Sequence, residues 1–228
     1  MKSFKRVTAL FLGLFFLLLG ASCGKASDEP ISEEELLEKL RQPTVMITVE
    51  DYRATGVIIG NDDDYLTIAT VAHLMDGYDQ GIITFYGGKS GFADVFYCDT
   101  GNDICLMRIK KQDMTPGFAE SLNFAEFNEE AYDSLEKGDK IYVVGSTVGV
   151  AANATSGTFE EKDYYVPEFD RNCIYLYCDV FEGMSGSGVY TEDGYLIGLL
   201  TGGSDLREAV CIPMTDVIEE WRNYYDKN

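Results

Sequence analysis

Six short runs follow one another between Thr44 and Lys110: TVMITVE, ATGVIIG, YLTIATVA, GIITFYG, ADVFYCD and ICLMRIK. Each is rich in β-branched or aromatic residues, and turn-forming residues separate them, so each reads as a strand. A second set begins at Lys140: KIYVVGST, ATSGTFEE, DYYVP, CIYLYCD, SGVYT and YLIGLLTGG. Strands this short bury little surface alone and must pair edge to edge. Residues 111–138 are polar and irregular and read as the connection between the sets. The pattern predicts an all-β chain of two packed antiparallel barrels of six strands each, one over about 42–112 and one over about 138–212. Short helices flank them. In SEEELLEKLRQP, Ser32 and Glu35 form a capping box for a helix that ends before Pro43. In PMTDVIEEWRNYY, Thr215 is placed to cap a helix over about 214–225 with Val217, Ile218 and Trp221 on one face. GNDDDY reads as a hairpin turn, since its spacing does not match a calcium loop. No further domain is expected after the last helix.

The first 22 residues are read apart from the fold. Lys2, Lys5 and Arg6 precede an apolar stretch from Val7 to Leu19, followed by Gly20, Ala21, Ser22 and Cys23. That is the order of a secretory signal, too short for a comfortable membrane span. LLLGASC also resembles a bacterial lipoprotein signal, which implies that Cys23 is acylated and becomes the new N-terminus. Residues 23–40 then hold a tether and the first helix, and the product faces the extracytoplasmic side of a membrane. An uncut leader would hold it there as a signal anchor. The chain carries 39 acidic and 18 basic residues and a formal net charge of −21, and losing the leader removes three cations more. Such a surface repels phosphate backbones, so nucleic acid is excluded as a partner. Beyond Cys23 there are five cysteines, an odd number that argues against a complete disulfide framework. Cys173 and Cys178 lie five apart in an alternating strand and so face opposite ways. Most of the cysteines read as small core residues. With one histidine and no paired-cysteine motif, neither a metal site nor a cofactor is expected.

That histidine is His73, at the end of the apolar run TVAHLM. An imidazole suits proton transfer near neutrality, although a lone histidine is more often structural. In EGMSGSGVY, glycines at 183, 186 and 188 leave the Ser185 hydroxyl uncrowded. The turn Gly183–Met184–Ser185 can aim the N–H groups of Gly183 and Ser185 at one point, as an oxyanion hole requires. A glycine- and serine-rich turn can equally be only a turn. A serine nucleophile needs a base, and the base an orienting carboxylate. Asp103 in GNDICLMRI opens a strand and suits that part, or closes a turn.

TVAHLM, GNDICLMRI and GMSGSG, in that order, resemble the trypsin-like serine peptidases of the chymotrypsin fold, in particular the bacterial branch related to the HtrA/Deg proteases. LEKGDKIYVVGS and GYLIGLLTGG with AVCIP agree with the start and end of that branch's second barrel, so the resemblance covers roughly residues 40–225. It implies His73 as base, Asp103 as its orienting acid, Ser185 as nucleophile and Gly183, Met184 and Ser185 as the oxyanion loop. It also implies that Thr201, Gly202 and Gly203 run beside the substrate backbone, their glycines leaving the pocket mouth open. Asp179 would sit at the base of the primary pocket; the preferred alternative is a strand end accepting backbone hydrogen bonds. Met184 replaces the usual Asn or Asp, so no activation by a freed N-terminus is expected. SGS occurs in the fold's glutamyl endopeptidases, but no second histidine is present for that specificity, and no PDZ domain is expected. The reading is a membrane-tethered extracytoplasmic serine endopeptidase acting on peptides or unfolded proteins. The alternative is an inactive protease-fold lipoprotein that binds peptides or serves assembly. The sequence carries no signal for oligomeric state.

Overall fold

Six strands close the first barrel in a computed structural model that describes residues 31–147 and 150–227. They are β1 (Thr44–Val49), β2 (Tyr52–Asn61), β3 (Tyr65–Val71), β4 (Gln80–Phe85), β5 (Ser90–Asp99) and β6 (Ile104–Lys110), in the order β1-β2-β3-β6-β5-β4. The second barrel holds β7 (Lys140–Thr147), β8 (Val150–Val166), β9 (Arg171–Cys178), β10 (Gly188–Thr191), β11 (Leu196–Gly203) and β12 (Glu208–Pro213), in the order β10-β11-β12-β9-β8-β7. Every pairing is antiparallel, and β4 on β1 and β7 on β10 complete the two closures. This is the chymotrypsin-like architecture. The leader 1–22, Cys23 and the tether through residue 30 lie outside the described residues.

The strands are apolar on both sides because they serve two cores. In β6, Cys105 and Met107 fill the interior of the first barrel, while Ile104 and Leu106 point to the layer between the barrels. In β3, Leu66 and Ile68 face inward and Ala69 and Val71 face the second barrel. Side chains alternate along a strand, so a continuous apolar run is what two-sided burial requires. Tyr142, Val144, Leu199 and Ile212 meet them from the second barrel. Two helices seal the same layer. α1 (Glu33–Arg41) has the capping box, with Glu35 N–H donating to Ser32 Oγ at 3.3 Å and Ser32 N–H to Glu35 Oε2 at 2.9 Å. It buries Leu36 and Leu40. A short α2 (Glu129–Asp133) lies in the connection between the barrels, and α3 (Met214–Lys227) adds Met214, Val217, Ile218 and Trp221 to the layer.

Two details depart from the expected pattern. ATSGTFEE and DYYVP are parts of one strand, β8, whose register against β9 shifts at Phe159/Glu161 and again at Glu161/Tyr164. Each shift resets the two-residue alternation, which hides the continuity of the strand. The sixth strand is instead EAVCIP, β12. Thr215 is not the cap of the last helix: α3 already begins at Met214, whose buried side chain draws the first turn into the inter-barrel layer, and the Thr215 hydroxyl donates to Asp216 Oδ1 at 3.2 Å.

Candidate active site

Asp103 precedes β6 in a tight turn from β5. Asp99 Oδ1 accepts the N–H groups of Gly101 and Asn102 at 2.8 and 3.3 Å, and Asp103 then takes a left-handed backbone, φ 54°. Aspartate tolerates that conformation better than most residues. The turn is also held from the second barrel, where the Arg171 guanidinium donates both to the Asn102 carbonyl and to Asp216 of α3. His73 sits in one turn of 3₁₀ helix that ends β3, and the Ala72 N–H bonds to the Asp103 carbonyl at 3.1 Å.

The Asp103 carboxylate is nearly buried, at 12 % side-chain exposure. It accepts the His73 backbone N–H at 2.8 Å on Oδ1, and His73 Nδ1 lies 3.1 and 3.0 Å from its two oxygens. The Thr201 hydroxyl of β11 donates to Oδ2. Burial pushes the acid upward, but the bonds from His73 and Thr201 outweigh it and hold the carboxyl below its ordinary value. An acceptor-only partner fixes the Nδ1–H tautomer, leaving Nε2 free to accept a proton.

Ser185 lies in the loop between β9 and β10. Gly183 and Gly186 both have left-handed backbones, φ 90° and 83°. Neither the Gly183 N–H nor the Ser185 N–H donates to a partner among the described residues. Met184 departs from the expected oxyanion set: its N–H donates to the Phe181 carbonyl at 3.1 Å. Its side chain is fully buried in the second barrel's core with Val189 and Ile197, so an apolar plug anchors the loop at the position where the resemblance has Asn or Asp.

Thr55 of β2, which the sequence reading missed, ties that loop to the first barrel. Its N–H donates to the Ser185 carbonyl at 2.9 Å and its hydroxyl to the Gly183 carbonyl at 3.0 Å. The same hydroxyl accepts the Ser146 N–H at 2.7 Å, and the Thr55 carbonyl accepts the Thr70 hydroxyl at 2.7 Å. One fully buried threonine thus spans both barrels at the site. A buried Thr inside the run ATGVIIG carries no signal by itself; only the pairing reveals it.

Leu74, next to His73, and Ser185 line one cleft of about 500 Å³ with Tyr52, Arg53, Phe181 and Glu182. No hydrogen bond joins the Ser185 hydroxyl to the His73 ring among the described residues; such bonds are commonly long before substrate arrives. A larger groove, about 930 Å³, is lined by Phe85, Phe92, Arg108 and Phe118 and by none of the three residues.

The residues assigned to substrate divide. Thr201 turns its side chain to Asp103 and is buried, so only its backbone is available to a substrate. Asp179 follows the last residue of β9 and pairs with Arg207 at 3.0 Å rather than with backbone amides, both side chains being exposed. It is therefore not a bare acid waiting for a basic side chain. Neighbouring side chains pack close beside Gly202 and Gly203. A Cβ on Gly203 would lie 2.2 Å from Val180 Cγ2, and one on Gly202 would lie 3.3 Å from the Phe169 ring. Past Leu199, β11 pairs with β12 but no longer with β10, which leaves one backbone edge of residues 201–203 without a strand.

Two closed barrels with a His–Asp pair and a glycine-flanked serine at their junction define a chymotrypsin-fold serine peptidase scaffold. Residues 54–199 match the family model described as a trypsin-like peptidase domain. The chain belongs to that family and is related to its HtrA branch. It is 26% identical over 162 residues to a protein named "Serine protease HtrA-like" from Staphylococcus aureus (strain USA300), covering 66% of this chain and 20% of that one. It is 25% identical over 151 residues to a "Probable periplasmic serine endoprotease DegP-like" of Halomonas elongata, covering 64% of this chain and 28% of the relative. The matches thus span between a fifth and a third of the relatives' length. Among solved structures, "HtrA-type protease AlgW with tripeptide" superposes with a TM-score of 0.70 at 20% identity, over 84% of this chain and 63% of that one.

Proposed function

We propose that the protein is an extracytoplasmic serine endopeptidase that cleaves peptides or unfolded proteins with a Ser185–His73–Asp103 triad. The observation that carries this reading is the Asp103 carboxylate, which takes hydrogen bonds from the His73 backbone N–H, from Nδ1 of its ring and from the Thr201 hydroxyl, and thereby fixes the ring with Nε2 free. His73 removes the Ser185 proton as the hydroxyl attacks the scissile carbonyl, then returns it to the departing amine. Asp103 stabilises the imidazolium formed in between. The free N–H groups of Gly183 and Ser185 receive the oxyanion. The open edge of residues 201–203 pairs with an extended substrate as an added strand. Vacant donors in the loop favour this over the inactive-module alternative. The expected result is that the parent protein cleaves a reduced, unfolded protein substrate and that Ser185→Ala lowers the rate by about 10³-fold or more, read by mass spectrometry of the products. Equal cleavage by both proteins would remove Ser185 from the reaction.

The same proposal places the protein at a membrane through acylated Cys23. In cells, a Cys23→Ala variant should leave the membrane fraction or accumulate with its leader uncut. Normal processing of that variant, with the mature N-terminus downstream of residue 23, would rule out the lipid anchor.

A further inference from the structure

Cys98 and Cys105 have no part in the proposed hydrolysis, yet they face each other across β5 and β6 as direct register partners. Directly opposed residues on antiparallel strands share one face, with Cα atoms about 4.5–5.5 Å apart. That lies within the roughly 4.4–6.8 Å that a disulfide spans. The two thiols differ sharply in access: Cys98 is exposed, while Cys105 is fully buried in the first barrel's core. Hydrogen bonding to Cys105 draws the Cys98 thiol below its ordinary value against the opposing effects of burial and of Asp76, Asp103 and Asp99, and the same pairing pushes Cys105 up. Cys173, Cys178 and Cys211 are all buried. The pair also brackets the turn that begins at Asp99 and delivers Asp103.

We propose that Cys98 and Cys105 form a reversible cross-strand disulfide, a redox-sensitive staple across the hairpin that carries Asp103. The oxidant is a low-molecular-weight disulfide. The Cys98 thiolate attacks one of its sulfurs, forming a mixed disulfide and releasing one thiolate, which takes a proton. Cys105 then loses its proton and its sulfur attacks Cys98 Sγ, which expels the second thiolate. Two protein thiols are oxidised, one external disulfide is reduced to two thiols, and two electrons are transferred. The three nearby carboxylates set the reagent's charge: a cationic disulfide approaches this site more readily than an anionic one. Bond formation is read by mass and does not depend on the hydrolytic reading.

The test treats the folded parent chain with cystamine, a cationic disulfide, and in parallel with oxidised glutathione, an anionic one. The parent should become about 2 Da lighter, with peptide mapping placing the bond at 98–105. Cystamine should react the faster, and dithiothreitol should reverse the change. Oxidation should raise Tm by about 5 °C, as expected for a short closed loop in a domain of this size. Cys98→Ser should show neither the mass loss nor the Tm shift. Cys105→Ala should stop at a stable cysteamine adduct on Cys98, and because the parent arm uses the native core, the result does not depend on that variant's folding. A parent that keeps its reduced mass, holds a persistent adduct on Cys98, or pairs a different cysteine would overturn the proposal.

Discussion

Replacing Asp103 with Asn is expected to lower kcat by about 10⁴-fold while leaving the fold in place. The amide keeps an oxygen for the His73 N–H at the Oδ1 position, while the Thr201 hydroxyl, which now donates to Oδ2, turns to accept from the NH₂ that replaces it. Its NH₂ cannot accept from Nδ1, however, so the ring must turn its acceptor nitrogen inward and carry its proton on Nε2. A base that already holds its proton cannot take the one from Ser185. The same substitution changes the acid limit of stability. In the folded protein the Asp103 carboxyl lies below the 3.8 of an unperturbed aspartate. Its bonds therefore contribute stability that is present above that value and lost as pH falls through the lower, folded one. Asp103→Asn should lose that part of the acid transition. Circular dichroism against pH, beside turnover at neutral pH, checks both. Parent-like turnover would make Asp103 a turn residue only.

Gly186→Ala should be the most damaging single methyl group in the site. The added Cβ would lie 2.0 Å from the Thr55 carbonyl oxygen and 2.5 Å from Thr70 Oγ1, on a backbone with φ 83°. A side chain could turn away. The Thr55 carbonyl cannot, because Thr55 is bonded to Ser185, Gly183, Ser146 and Thr70 at once. Strain and overpacking together should cost about 3–5 kcal/mol, lowering Tm by roughly 10 °C and abolishing cleavage. Gly91→Ala is the control, since a Cβ there meets nothing within 4 Å. Differential scanning calorimetry of both variants distinguishes them; a parent-like Tm for Gly186→Ala would mean that the loop is not clamped as described.

The barrels were legible because two-sided burial writes itself as runs such as YLTIATVA and ICLM, which no solvated hairpin would tolerate. His73, Asp103 and Ser185 stood out by residue type and order, and the structure brings His73 and Asp103 into direct contact. What stayed hidden depends on pairing between distant segments. Thr55 reads as one more β-branched strand residue until β2 meets the Ser185 loop, and Thr201 looks like part of a substrate edge until its hydroxyl reaches Asp103. Arg171 and Asp216 stand far apart in sequence and meet only when β9 and α3 come together. β8 was misread for a different reason: its register shifts erase the alternation that marks a strand. Met184 stands out in sequence only as a departure from Asn or Asp, whereas its side chain fits the apolar core that the loop closes over.

If Ser185 is a nucleophile activated only in the folded protein, a fluorophosphonate will label it. Ser185 Oγ would attack phosphorus, expel fluoride and keep the phosphonyl group, with the proton passing to His73. The expected result is one adduct per chain, located on Ser185 by peptide mass spectrometry, absent after unfolding and absent in Ser185→Ala. An adduct on another serine, or no adduct on protein shown to be folded, would contradict it.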